Sequence, residues 1–218
     1  MTIPTTLTRM PDRASHNRSD LNALLDEVLV ATLSTVVDDQ PWTVPMFFAR
    51  DEDRVLIHGS TGAGLLRILA TGTPTTLSVH VLDGIVVAET AFESSANYRS
   101  AVLRGTFTPV PEGELEDALR TLTDRLIPGR SNEVSPSTRK ELAATQVLQL
   151  PITPGSWIYK SRQGPSGMPD QPVEQVWAGV VPVEQIYTTP VADDWVAPDL
   201  PPPASVQRLL ATNPRASS

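Results

Sequence analysis

Residues 42–67 read WTVPMFFARDEDRVLIHGSTGAGLLR: a strand, a tight acidic turn, a second strand, and a loop of very small residues that opens directly into a helix. The loop consists of Gly59, Ser60, Thr61, Gly62, Ala63 and Gly64. With so little side-chain bulk, backbone N–H groups and two hydroxyls can come close to an anion, and the helix start adds a favourable dipole. The same small residues also suit any ordinary strand-to-helix turn. Taken alone, the loop leaves both readings open.

The pattern continues on either side. Before it, Leu21, Leu24, Leu25 and Val28 form one apolar stripe of a short helix that Ser19 can cap, followed by the β-branched run VLVATLSTVV and the turn Asp38-Asp39-Gln40. After it, strands are predicted at 75–82 and 85–89 around Asp83-Gly84, a two-residue hairpin signal, and a long strand over 98–110. Residues 112–126 carry the strongest helical periodicity, and Thr138 with Glu141 has capping-box spacing. Strands at 146–152 and 157–162, a Gly/Pro loop over 163–175 and an apolar segment at 176–183 complete the core. Residues 1–18 read as a flexible lead, 19–189 as one domain, and 190–218 as a proline-rich tail. Hairpins outnumber strand–helix–strand units, which favours an antiparallel β-barrel with peripheral helices, mainly β, over a doubly wound sheet.

Composition narrows the function. Among 218 residues, 17 Lys and Arg stand against 25 Asp and Glu, for a net charge of -8, so nucleic acid is not an expected partner. Cys 0 excludes disulfides, thiolate catalysis and Cys-ligated metals. His16, His58 and His80 form no ligand array, and no dedicated metal site is expected. No apolar run approaches the ~18 residues of a membrane span and no leader is evident, so the expected location is cytoplasmic, away from membranes.

The order of short motifs then points to a family. HGS, small residues and LL (58–66), LDG (82–84), NYRS with a strand ending in Gly (97–105), KELAAT (140–145), KSRQGP (160–165) and VWAGVVP (176–182) resemble the flavin-binding split-barrel proteins related to pyridoxamine 5'-phosphate oxidase. The resemblance implies a homodimer that binds FMN in two clefts between subunits. It places the FMN phosphate at Gly59, Ser60, Thr61, Gly64 and Leu65, with His58 beside it, and Arg99 and Ser100 adding a charge and a hydroxyl from a neighbouring strand. It lays Val44, Pro45, Met46 and Phe47 against the flavin ring, brings Trp177 from the partner subunit, and makes Lys160 an anchor for cofactor or substrate.

Each assignment has a structural alternative: a strand end for His58, surface charge balance for Arg99, core or dimer packing for Trp177, and a solvated strand edge for Lys160 and Arg162. Gly64 stands where relatives usually carry a second Ser, and the first basic residue near the loop is Arg67, about one helical turn along. Either Arg67 or Arg99 is therefore expected to supply the positive charge. The vitamin-B6 substrate residues of the oxidase have no counterpart, so its name-giving activity is not implied.

The expectation is an FMN-binding oxidoreductase acting on an unidentified small molecule, with no side chain identifiable as its acid or base. The alternatives are an F420-dependent reductase on the same fold and a flavin- or haem-binding barrel without turnover.

Overall fold

The chain leaves one sheet and enters the other at two phenylalanines. Both Phe48 and Phe107 are fully buried (0% exposed). In the computed structural model, which describes residues 10–169 and 175–213, β3 (Gln40–Phe47) lies in a seven-stranded sheet and β4 (Ala49–Asp51) in a four-stranded one. Phe48 is the corner between them. Likewise β7 (Ser95–Thr106) passes through Phe107 to β8 (Thr108–Pro109) in the smaller sheet. The strands expected at 42–49 and 98–110 are therefore each broken in two. Gly105 marks the second corner: a Cβ there would sit 2.8 Å from Leu150 Cδ1, so any side chain would have to displace the end of that leucine.

The larger sheet runs β1 (Ala14–Ser15), β10 (Trp157–Arg162), β7, β6 (Pro74–Val87), β2 (Val30–Val37), β3, with β11 (Gly179–Pro182) also on β6. The smaller runs β4, β5 (Arg54–Ser60), β9 (Thr145–Pro151), β8. Every pairing is antiparallel. Asp38 and Asp39, at φ 49 and 59, make the tight β2–β3 turn, and both belong to the short polar residues that tolerate left-handed backbone. Pro41 and Pro45 fall on β3, an edge strand, where a missing N–H leaves no ladder bond unmade.

Side-chain alternation sorts the residues into layers. Leu33, Leu77, Val79, Ala101, Leu103 and Tyr159 of the large sheet face Val55, Ile57, Leu148 and Leu150 of the small one. That core is closed by Leu21, Leu24 and Leu25 of α1 (Arg18–Glu27) and by Leu65, Leu66 and Leu69 of α2 (Gly64–Ala70). On the far side of the small sheet, Leu56 and Val147 pack with Ala118 and Leu122 of α3 (Leu115–Leu126). Each fully buried aliphatic side chain contributes roughly 1.5–3 kcal/mol. The other face of the large sheet carries none of α1, α2 or α3.

Four sequence expectations need correction. Asp83-Gly84 is no hairpin: β6 runs straight through it with a bulge, because β11 pairs alongside and Gly84 admits it, a Cβ there lying 2.9 Å from Val181 O. The chain reverses at 88–94 instead, where Ser94 N donates to Thr90 O (3.2 Å). The cap of α1 is Asn17, two residues before the expected Ser19, and its side chain accepts from Ser19 N. Within the expected lead, Pro11–Arg13 form a 3-10 turn and Ala14 and Ser15 pair with Lys160 and Tyr159; residues 1–9 lie outside the described part. Within the expected tail, α5 (Ala204–Ala211) is held by Glu133, which accepts from Ser205 N (2.8 Å) and Ser205 Oγ. Residues 214–218 are outside the described part. The capping box at Thr138 and Glu141 forms as expected and starts α4 (Arg139–Ala144).

Candidate functional site

The small-residue loop follows β5, whose last residues Gly59 and Ser60 pair with Gln146 and Thr145 of β9. The loop consumes its own first donors. Thr61 N–H donates to Ala144 O (3.0 Å), Gly62 N–H to Ser60 Oγ (3.2 Å) and Ala63 N–H to Ser60 O (2.9 Å). The next donors are different. Ala63 occupies the N-cap of α2 and offers no side-chain acceptor, and the first helical bond is Arg67 N–H to Ala63 O (3.2 Å). Among the described residues, the N–H groups of Gly64, Leu65 and Leu66 thus have no acceptor.

Space is available at the same place: a Cβ on Gly64 would meet no heavy atom within 4 Å. The exposed Thr61 hydroxyl and the exposed Arg67 guanidinium make no hydrogen bond or ion pair among the described residues. This is an uncapped helix start with a hydroxyl two residues before its N-cap and an uncommitted cation in the turn that follows, a donor set suited to a phosphate. The Leu65 side chain is 7% exposed and belongs to the core, so only its backbone can serve a ligand.

Arg99 does not join this group. It donates from Nε and Nη2 to Asp83 and from Nη1 and Nη2 to Glu27, the last residue of α1. The Glu27 hydrogen bonds, then those to Asp83, raise its pKa far above the ordinary arginine value. Arg99 and Ser100 are also consecutive on a strand and project from opposite faces. One anion on one face cannot meet both, so the pairing expected from the sequence is not formed within a chain.

Ser100 belongs to a second group on the uncovered face of the large sheet. His80, Ser100 and Lys160 are directly opposite one another on β6, β7 and β10. Ser100 Oγ donates to Lys160 O (3.3 Å), and Lys160 Nζ lies 6.0 Å from the Tyr98 ring centre. The neighbouring rows are Ser78, Val102 and Ile158 on one side and Leu82, Tyr98 and Arg162 on the other. Arg162 is a structural residue: it donates to Asn97 Oδ1 (2.5 Å), Gly164 O (3.1 Å) and Pro165 O (3.2 Å), fixing the loop after β10.

The remaining expected residues stand apart. On β3, Val44 and Met46 lean into the inter-sheet core, Phe47 packs against the α3 side, and Pro45 is exposed. His58 is exposed, directly opposite Val147, and desolvation lowers its pKa, favouring neutral imidazole at pH 7. Trp177 is 63% exposed, its ring against Gly179, where a Cβ would fall 2.9 Å from Trp177 Cζ2. Clefts of about 480 and 330 Å³ flank α3, and none of these residues lines either one.

Sequence reading missed two features. The orphan N–H groups of α2 were signalled by Ala63 in the position where Ser, Thr, Asp or Asn would normally cap a helix. His80 was signalled by its alternation with Ser78 and Leu82, which puts all three on the uncovered face.

The fold and its layers define an antiparallel split barrel of the flavin-binding kind. A family model described as pyridoxamine 5'-phosphate oxidase matches residues 17–157, and the chain belongs to that family. No curated protein sequence matches the chain significantly.

Among solved structures, the chain is similar to the FAD and heme binding protein from Mycobacterium smegmatis, with 44% identity, a TM-score of 0.85, and coverage of 90% of this chain and 97% of that one. It is also similar to the flavocytochrome Anf3 from Azotobacter vinelandii, at 31% identity and TM-score 0.83 over 94% and 95% of the two chains. The fold alone is shared with a putative 5-nitroimidazole antibiotic resistance protein from Bacteroides thetaiotaomicron, at 14% identity and TM-score 0.58 over 68% and 86%. Among the described residues no helix is long and apolar enough to cross a membrane.

Proposed function

We propose that this chain is a flavin-binding oxidoreductase acting as a homodimer, with the phosphate end of the flavin at the start of α2. The observation that carries the reading is the uncapped turn Gly64–Leu66 beside the Thr61 hydroxyl and the uncommitted Arg67. Ser60 is already an acceptor for Gly62 N–H, and its hydroxyl proton remains to donate. The cation falls to Arg67, since Arg99 is occupied by two carboxylates.

One chain supplies this anion site, and the two clefts beside α3 do not reach it. An exposed Trp177 and the uncovered sheet face with His80, Ser100 and Lys160 support completion of the cleft by a second copy. A bound flavin supplies hydride and one-electron chemistry. The chain's residues hold its anionic end, offer Pro45 and Trp177 as flat walls, and exclude water. The resemblance implies FMN, whereas the M. smegmatis protein binds FAD.

Purified protein is expected to show flavin absorbance, or to bind one equivalent of flavin per chain on titration with FMN and FAD in parallel with F420. Mass spectrometry of the extract identifies the species. Protein that is colourless and binds none of the three removes the proposal, and exclusive F420 binding replaces it.

A second reading, flavin-to-haem electron transfer, is favoured by the likeness over at least 90% of the chain to a FAD and heme binding protein and to a flavocytochrome. The exposed imidazoles of His58 and His80 make no hydrogen bond among the described residues, and each fits an axial ligand. A haem Soret band lost on His58→Ala or His80→Ala supports this reading, and a protein that takes up no haem overturns it.

A further inference from the structure

Residues 183–203 form an arm between β11 and α5 that contains no helix or strand. Both ends are fixed: Val183 N–H donates to Asp83 O (3.1 Å), and Ser205 is fully buried against Glu133. Tyr187 is also tied down, its N–H donating to Asn213 Oδ1 (2.6 Å) and its C=O accepting from Asn213 Nδ2 (2.7 Å), but beyond it the large apolar side chains lie open, with Val191 93%, Trp195 82% and Leu200 64% exposed. Ordering large apolar side chains in water is unfavourable unless something covers them. The arm's charge has one sign: Glu184, Asp193, Asp194 and Asp199, with no Lys or Arg between Arg162 and Arg208.

The complementary surface is on the same molecule. The uncovered face of the large sheet presents Leu82, Tyr98 and Ile158 around Lys160 and Arg162, and its rows on β6, β7 and β10 contain no carboxylate. An apolar and acidic arm and an apolar and basic face on one chain are the two halves of a reciprocal contact. In a two-fold dimer each arm meets the other copy's face, and the contact closes.

We infer that residues 183–203 are an exchanged arm that crosses onto the sheet face of a second copy of this chain, with Trp195 as its apolar anchor and its carboxylates beside Lys160. This rests on the homodimer proposed above and adds that the partner's arm covers the face carrying His80, Ser100 and Lys160. The site on each copy is then roofed by the other, which couples ligand exchange to movement of the arm.

The chain has only two lysines, Lys140 and Lys160, which makes carbodiimide cross-linking selective. An equal mixture of ¹⁴N- and ¹⁵N-labelled full-length protein, refolded together and cross-linked, is expected to give mixed-isotope peptides joining Lys160 to Asp193, Asp194 or Asp199. Trp195→Ala is expected to raise the dimer dissociation constant at least tenfold by light scattering while leaving the circular dichroism of the folded chain unchanged. A dimer whose Lys160–arm links are all of single isotope, or absent, and whose affinity ignores Trp195→Ala, overturns the exchanged arm and leaves the homodimer standing. A wild-type monomer at micromolar concentration overturns both, and the flavin titration reads separately from either.

Discussion

Arg67 and Arg99 both read as cations for a phosphate, and their surroundings separate them. Arg99 has a side chain 22% exposed and is gripped by Glu27 and Asp83, so its charge is spent inside the fold. Truncating it leaves Asp83, itself 23% exposed, without its cation. Arg99→Ala is expected to cost about 1–3 kcal/mol in urea unfolding. Arg67 touches no carboxylate among the described residues, and Arg67→Ala is expected to weaken flavin binding about tenfold with little change in stability, since a charge-assisted hydrogen bond contributes about 1.5–3 kcal/mol. Flavin titration beside a denaturation curve for each variant checks the crossed pattern; equal effects of both variants on affinity would return Arg99 to the site. The sequence could name both arginines because residue type and neighbours along the chain were visible. It could not show that Glu27, 72 positions away from Arg99, claims one of them.

Local signals at the level of elements were legible where partners are near in sequence. The Asp38-Asp39 turn, the loop into α2, the periodic helix α3 and the Thr138–Glu141 box all depend on neighbours within a few residues. Asp83-Gly84 misled because glycine serves two ends: it permits a turn, and it also permits another backbone to approach, which is its use beneath β11. The two corners were invisible for a similar reason, since a strand that changes sheets keeps its apolar pattern. Phe107→Ala empties the second corner and is expected to cost about 3–5 kcal/mol by chemical denaturation.

At the C-terminus, Glu133 accepts from Ser205 N and Oγ, and the Ser205 hydroxyl and backbone bonds, aided by Arg130 and Arg208, lower its pKa. A carboxylate with a depressed folded pKa contributes above its unfolded value of about 4.3 and loses that contribution as pH falls through the lower, folded one. Amide exchange over 204–211, corrected for intrinsic rate, is therefore expected to accelerate below about pH 4. In Glu133→Ala it should already be fast at pH 7, with exchange in β6 and β7 unchanged. Uniform loss of protection across the sheets would mean that α5 is part of the main cooperative unit.

Among the described residues, three layers leave one large sheet face without a helix over it, and that face has Leu82 43% and Ile85 43% exposed. A second copy is the expected cover, so Leu82→Glu should yield a folded monomer with unchanged circular dichroism and reduced flavin affinity; light scattering that still reads a dimer would move the interface elsewhere. By itself the sequence determined the antiparallel class, the family and the small-residue loop, because alternation, turn chemistry and motif order act over short distances along the chain. Only the tertiary structure decided which arginine remains available, that Arg99 and Ser100 face opposite ways, that Leu65 is core, and that the strands at 42–49 and 98–110 each serve two sheets. Those outcomes depend on which distant groups meet, and an ion pair or a strand pairing between remote residues leaves no local trace in the pattern of either partner.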